Sequence, residues 1–134
     1  KPATRFEVDG GGWVELRTLS VEDWQKIRKA CVTKRPFAHR VEEPGPGGKP
    51  SVTWMVLNQE ITDEELQVEM INDLTIHAWG DLKDKSGNQI PCTKDNKMRL
   101  MRMKDPAFRD FMNEKMKILS DLEKSKEGEA AKNS

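Results

Sequence analysis

The spacing of apolar positions changes several times along this chain, and each change marks a predicted element. "RFEV" and "WVELR" alternate apolar and polar residues on either side of Asp9-Gly10-Gly11-Gly12. Alternation reads as half-buried strands, and a glycine run tolerates the positive φ angles of tight turns, so a β-hairpin is expected. The run lacks the Gly-Lys-Ser/Thr ending of a phosphate loop. In "LSVEDWQKIRKAC" the period lengthens. Trp24, Ile27 and Cys31 recur at helical spacing, behind Ser20 as cap and Asp23 as its capping-box partner. Lys26, Arg28 and Lys29 fall off this stripe and are expected to face water.

Residues 34–60 follow neither pattern cleanly. "PFAHRVEE" and "SVTWMVL" are strand-compatible runs around "PGPGGKP", which no helix accommodates. A second hairpin with a long, mobile tip is expected, with an Ω-like loop around a single strand as the alternative. Trp54 and Val56 alternate with Met55 and Leu57, so this strand is apolar on both faces, as central strands are. The next helix is expected to start at Thr62 as cap, with Glu65 closing the box and Asp63 and Glu64 at the positive end of the dipole. Leu66, Met70, Leu74 and His77/Ala78 follow its stripe, broadened by Ile71 and Trp79, and Gly80 stands where a left-handed residue past the helix end is needed.

A corner follows. Asp84 and Asn88 are placed for side-chain-to-backbone turns around Gly87, and Ile90 returns to the core. After Pro91, Thr93 caps a short helix carrying Met98, Leu100 and Met101. Asp105-Pro106 opens a last helix with an apolar face of Phe108, Phe111, Met112, Met116, Leu119 and Leu122. From Glu123, "EKSKEGEAAKNS" has almost nothing to bury and is expected to be disordered. The expectation is a single α+β domain over 1–122 and a tail over 123–134. N-terminal β-hairpins would precede a mainly helical C-terminal half, with about four helices in all.

Composition narrows the function classes. Charged residues make up 34% of the 134-residue chain, and Lys+Arg and Asp+Glu number 23 each. That balance argues against a protein built to hold bulk nucleic acid or an anionic membrane. No apolar run approaches the roughly 20 residues of a membrane helix, and no signal-peptide pattern is present. The chain starts at Lys1 rather than methionine, as a trimmed start would. Cys31 and Cys92, the two cysteines, fit free thiols in a cytosolic protein better than a disulfide scaffold.

Candidate chemistry is thin. With Gly87 at the sixth position of a calcium loop, Leu82 falls at the first and Thr93 at the twelfth, where oxygen ligands are needed, so calcium fails. Cys31, His39, His77 and Cys92 lack the short paired spacing of zinc ligands. A Cys92–His77 dyad has no glycine-rich oxyanion elbow around it. Trp24 and Trp79 are expected in the core, leaving Trp13 and Trp54 as candidate stacking surfaces. No catalytic residue, metal ligand or cofactor site is expected.

The order of Trp79-Gly80, the acidic glycine turn in "DLKDKSGNQ", "IPCT", a short helix and a long terminal one resembles the tail assembly chaperones of long-tailed bacteriophages and prophages. The matching positions are Trp79, Gly80, Asp84, Gly87, Pro91 and Thr93, within a resemblance best over 62–122 and loose over the first hairpin. The resemblance implies a non-enzymatic protein of the host bacterial cytoplasm. It would coat the tape measure protein, recruit major tail protein subunits, self-associate, and use no cofactor, membrane or nucleic acid. Phe108, Phe111, Met112, Met116 and Leu119 then become the expected partner face, with the competing expectation that these side chains fill a small core. Such chaperones are often made in two lengths by frameshifting, and Ala131–Asn133 are codable as a slippery A tract. Two other readings stay open. One is a head–tail connector or other small virion protein. The other is a nucleic-acid-binding regulator using Lys26, Arg28, Lys29, Lys34, Arg35 and Arg40.

Overall fold

A computed structural model of the protein describes residues 2–132, with only the backbone of 127–132. The fold is α+β, with N-terminal antiparallel strands and, among the described residues, four α-helices. Strands β1 (Thr4–Glu7) and β2 (Trp13–Leu16) form the expected hairpin around the glycine turn. Helix α1 (Val21–Cys31) follows, then β3 (Val32–Pro44), a single 3-10 turn at Pro46–Gly48 and β4 (Pro50–Thr62). Helix α2 (Glu64–Thr75) leads into β5 (Ile76–Gly80), and α3 (Lys94–Met101) and α4 (Ala107–Lys132) end the chain.

Two separate sheets result. One has the antiparallel order β1-β2-β5, and the other contains β3 and β4 alone. In the first, Phe6, Val14 and Trp79 stand in register, as do Thr4, Leu16 and Ile76. This face carries the core. Val14, Leu16, Ile76, Trp79 and Leu82 pack with Met112 and Leu119 of α4, and Phe108, Phe111 and Met116 close in around them. Most of the apolar stripe of α4 therefore packs on this sheet, in line with the competing expectation of a small core, while Leu122 stays 53% exposed. Beside this core, buried Ile27 and Cys31 lie on α1, with the Cys31 Sγ 3.7 Å from the Met70 Sδ of α2.

Other expectations shift by physical causes. Asp63, not Thr62, caps α2, its carboxylate accepting from the Leu66 amide, while Thr62 stays in β4. Helix α2 stops at Thr75, whose Oγ1 donates to the Ile71 carbonyl, and the chain leaves as strand rather than helix. Trp79 and Gly80 thus belong to β5, and Gly80 is no helix-end glycine. A shift of register between Glu15 and Leu16 makes His77 the extra residue of a bulge. That bulge lets Ile76 and Trp79, three apart, share one face as they would on a helix. Trp24 is 47% exposed rather than in the core. Residues 123–132, expected to be disordered, continue α4, and Glu123 accepts a hydrogen bond from Thr18 Oγ1. Of the slippery stretch, Asn133 lies outside the described residues, as does Ser134.

The start of α1 matches its sequence signal. Ser20 and Asp23 form the reciprocal capping box, and Arg17 adds a 2.8 Å ion pair to Asp23. The Arg17 hydrogen bond, helped by the Ser20 amide, holds the Asp23 carboxyl well below the usual carboxylate range. A depressed folded-state pKa gives stability that is present above the unfolded value of about 3.9 and lost as pH falls toward the folded one. Melting temperature is accordingly expected to fall with acid below about pH 4, and Asp23→Asn to start lower at neutral pH and decline less steeply. An equally steep acid decline in Asp23→Asn would remove Asp23 as the cause.

Candidate interaction arm

Strands β3 and β4 form a ribbon of thirteen paired positions, from Val32↔Thr62 to Pro44↔Pro50. The sequence favours this: β-branched and aromatic residues recur along both strands, and Gly45, Gly47 and Gly48 turn the chain between them. The ribbon leaves the body as α1 ends and returns as α2 begins, its base closed by the Asp63 amide donating to the Cys31 carbonyl at 2.8 Å. Beyond that base it stands free. All of β4 and nearly all of β3 are exposed on both faces.

The uncovered side chains are large. One face carries the pairs Phe37–Leu57 and His39–Met55, and the other Ala38–Val56 and Arg40–Trp54. Trp54 is 62% exposed and Val56 75%. The expectation of a central strand is corrected. Among the described residues neither edge has a neighbouring strand, so the two apolar faces of β4 reflect an uncovered ribbon. Such patches on a soluble chain mark interaction surfaces, and a lone two-stranded ribbon is at best marginally stable in water.

Polarity differs along the two strands. β3 carries Lys34, Arg35 and Arg40 and then Glu42 and Glu43, whereas residues 51–59 of β4 carry no charge. Backbone direction differs too. The Gly45 amide donates to the Lys49 carbonyl at the tip, as Asp63 does to Cys31 at the base, and the register between them is unshifted. Bonded and non-bonded pairs alternate in an antiparallel ladder, so the odd-numbered residues bond inward and the even-numbered ones turn N–H and C=O outward. Pro36 sits at an outward position, where its missing N–H removes no bond of the ribbon.

The remaining candidates are scattered or occupied. His39 lies on the arm, His77 in the β5 bulge, Cys31 at the end of α1 against Met70 of α2, and Cys92 before α3. No group of metal-binding side chains forms among the described residues. Burial pushes the Cys92 thiol up, away from the thiolate a nucleophile needs. Of the six basic residues considered for nucleic acid, Arg28 pairs with Glu60 and Arg40 with Glu42. Among the described residues no helix is long and apolar enough to cross a membrane.

The corner is held by hydrogen bonds. The Asp84 carboxylate accepts from the Ser86 and Asn88 amides, and Gly87 takes φ 81° in the turn. Trp79 Nε1 donates to the Ile90 carbonyl at 2.7 Å, and Thr93, two residues past Pro91, caps α3. Trp79, Gly80, Asp84, Gly87, Pro91 and Thr93 thus all lie in a structural junction between β5 and α3. The arm was missed as a site because exposure is a tertiary property, although the uncharged run 51–59 beside a charged strand was a usable signal. No protein-family model, curated protein or solved structure matches this chain, so its functional reading stands on the arm and the sequence.

Proposed function

We propose that this chain is a non-enzymatic tail assembly chaperone of a long-tailed bacteriophage or prophage. It acts in the host cytoplasm, binding the tape measure protein and recruiting major tail protein subunits to it. The observation that carries this reading is the arm, a ribbon whose large apolar side chains are uncovered on both faces, beside a body whose main core packs between the β1-β2-β5 sheet and α4. The order of Trp79-Gly80, the Asp84–Gly87 turn and Pro91–Thr93 supports the same family. A long amphipathic partner needs apolar surface presented at a distance from the chaperone's own core. The arm offers it through Trp54, Met55, Val56 and Leu57, in place of the α4 residues.

Co-expression with the tape measure protein of the same phage, followed by co-purification, tests the assignment. The wild-type chain is expected to hold the tape measure protein in solution. A Trp54→Ala/Val56→Ser variant is expected to lose about tenfold or more in affinity, as hot-spot truncations do, with an unchanged melting temperature of the body. Failure of the wild type to bind would sink the chaperone reading. Undiminished binding by the variant would take the arm out of it.

A further inference from the structure

We propose that the free edge of β4 pairs antiparallel with β4 of a second copy, joining two arms into one four-stranded sheet ordered β3-β4-β4-β3. The inference rests on reading the arm as the interaction element, and not on a role in tail assembly.

The two edges of the ribbon are built differently. On the β3 side the outward row runs through Lys34, Pro36, Ala38, Arg40, Glu42 and Pro44, so two donors are missing and charges flank the gaps. Proline and charge are the devices that keep an edge from pairing. On the β4 side the outward row is Pro50, Val52, Trp54, Val56, Asn58, Glu60 and Thr62, so the one missing donor and the one charge lie toward its ends, and from 51 to 59 every N–H and C=O is present and no side chain is charged. Among the described residues no backbone group of the body bonds to this row.

A second copy satisfies the edge by symmetry. Identical antiparallel edges meet about a two-fold axis, and outward residues must bond to outward residues. Centred on Met55, the pairing sets Trp54 against Val56 and Val52 against Asn58, with Thr53 against Leu57 on the alternate positions. No like charges meet anywhere along 51–59, because none are present. At each end Lys49 of one copy comes alongside Ile61 and Glu60 of the other, so the flanking charges are opposite in sign. The two bodies lie at opposite ends of the joined sheet. Four strands also pass the threshold of three or more that a sheet needs for independent stability, which a lone ribbon does not reach.

Sedimentation of the full-length chain across the micromolar range, with two edge variants, provides the test. The wild type is expected to form a concentration-dependent dimer. Val56→Pro removes one outward N–H without touching the β3 ladder, as Pro36 already does opposite, and is expected to yield a monomer. Ala38→Pro makes the same change on the β3 edge and is expected to leave the dimer intact. Independently, Met55→Cys places two thiols across the axis at a non-bonded pair, about 4.5 Å apart at Cα and within disulfide reach. Mild oxidation should give covalent dimer for Met55→Cys and none for the wild type or Thr53→Cys. A monomer at every concentration, a dimer that survives Val56→Pro, or equal crosslinking through Thr53→Cys would each overturn the proposal. A monomeric chain that still binds the tape measure protein would overturn the dimer while leaving the proposed function standing.

Discussion

Replacing Trp79 with alanine is expected to destabilise the protein by about 3–5 kcal/mol, the range for deleting a large buried aromatic. Three contacts go at once. The indole is buried among Val14, Leu82 and the α4 side chains. It forms a T-shaped pair with Phe108, centroids 6.1 Å apart, and Nε1 donates to the Ile90 carbonyl at 2.7 Å. Total stabilities of single domains run to about 5–15 kcal/mol, so the loss would approach the whole margin in an ordinary case. Trp79→Phe separates the contributions, since it keeps most of the ring and loses the donor. It is expected to cost about 1–3 kcal/mol, the penalty for a buried partner left unsatisfied. Urea unfolding followed by far-ultraviolet circular dichroism reads both variants. Equal midpoints for Trp79→Ala and wild type would mean that the sheet and α4 are not joined through this side chain.

Gly12→Ala is expected to be the costliest change in the glycine turn, at about 2–4 kcal/mol from two independent sources. Gly12 has φ 91°, where an L side chain is strained. A Cβ there would also stand 2.9 Å from the carbonyl oxygens of both Gly80 and Asp81 and from the Leu82 side chain. Backbone oxygens at the end of β5 cannot step aside without loosening the β2–β5 ladder. Gly10 shares the positive φ but would meet nothing within 4 Å, so Gly10→Ala is expected to cost only the conformational part, about 1–2 kcal/mol. Unfolding midpoints that fall equally for the two variants would show that packing against the β5 end adds nothing.

Local chemistry made much of this fold readable. The Ser20–Asp23 capping box, the first hairpin, the Asp84–Gly87 turn and the Thr93 cap are all signals carried within a few residues, and each forms where its residues stand. The helix start before Glu64 was displaced by one residue because Asp63 competes with Thr62 for the same cap. Strand β5 was unreadable for a specific reason. Its bulge at His77 gives Ile76 and Trp79 the three-residue spacing of a helix, so period alone joined it to α2. The roles of the two apolar surfaces were exchanged for a different reason. The face of α4 and the faces of β4 have similar composition in sequence, and only the β1-β2-β5 sheet decides that one is covered and the other is not. Past Glu123 the helix continues, and the hydrogen bond from Thr18 to Glu123 joins residues more than a hundred apart in the chain, which no local signal shows.

The length of the arm has a consequence for spacing. Thirteen residues per strand at about 3.3 Å each carry the tip about 40 Å from the body. That exceeds the radius of gyration of about 13 Å expected for the hundred or so residues outside the arm. Laid along a helical partner rising 1.5 Å per residue, the ribbon would run beside about 27 residues of it. Were the arms to follow a long partner as proposed, their length would set the spacing of the bodies along it.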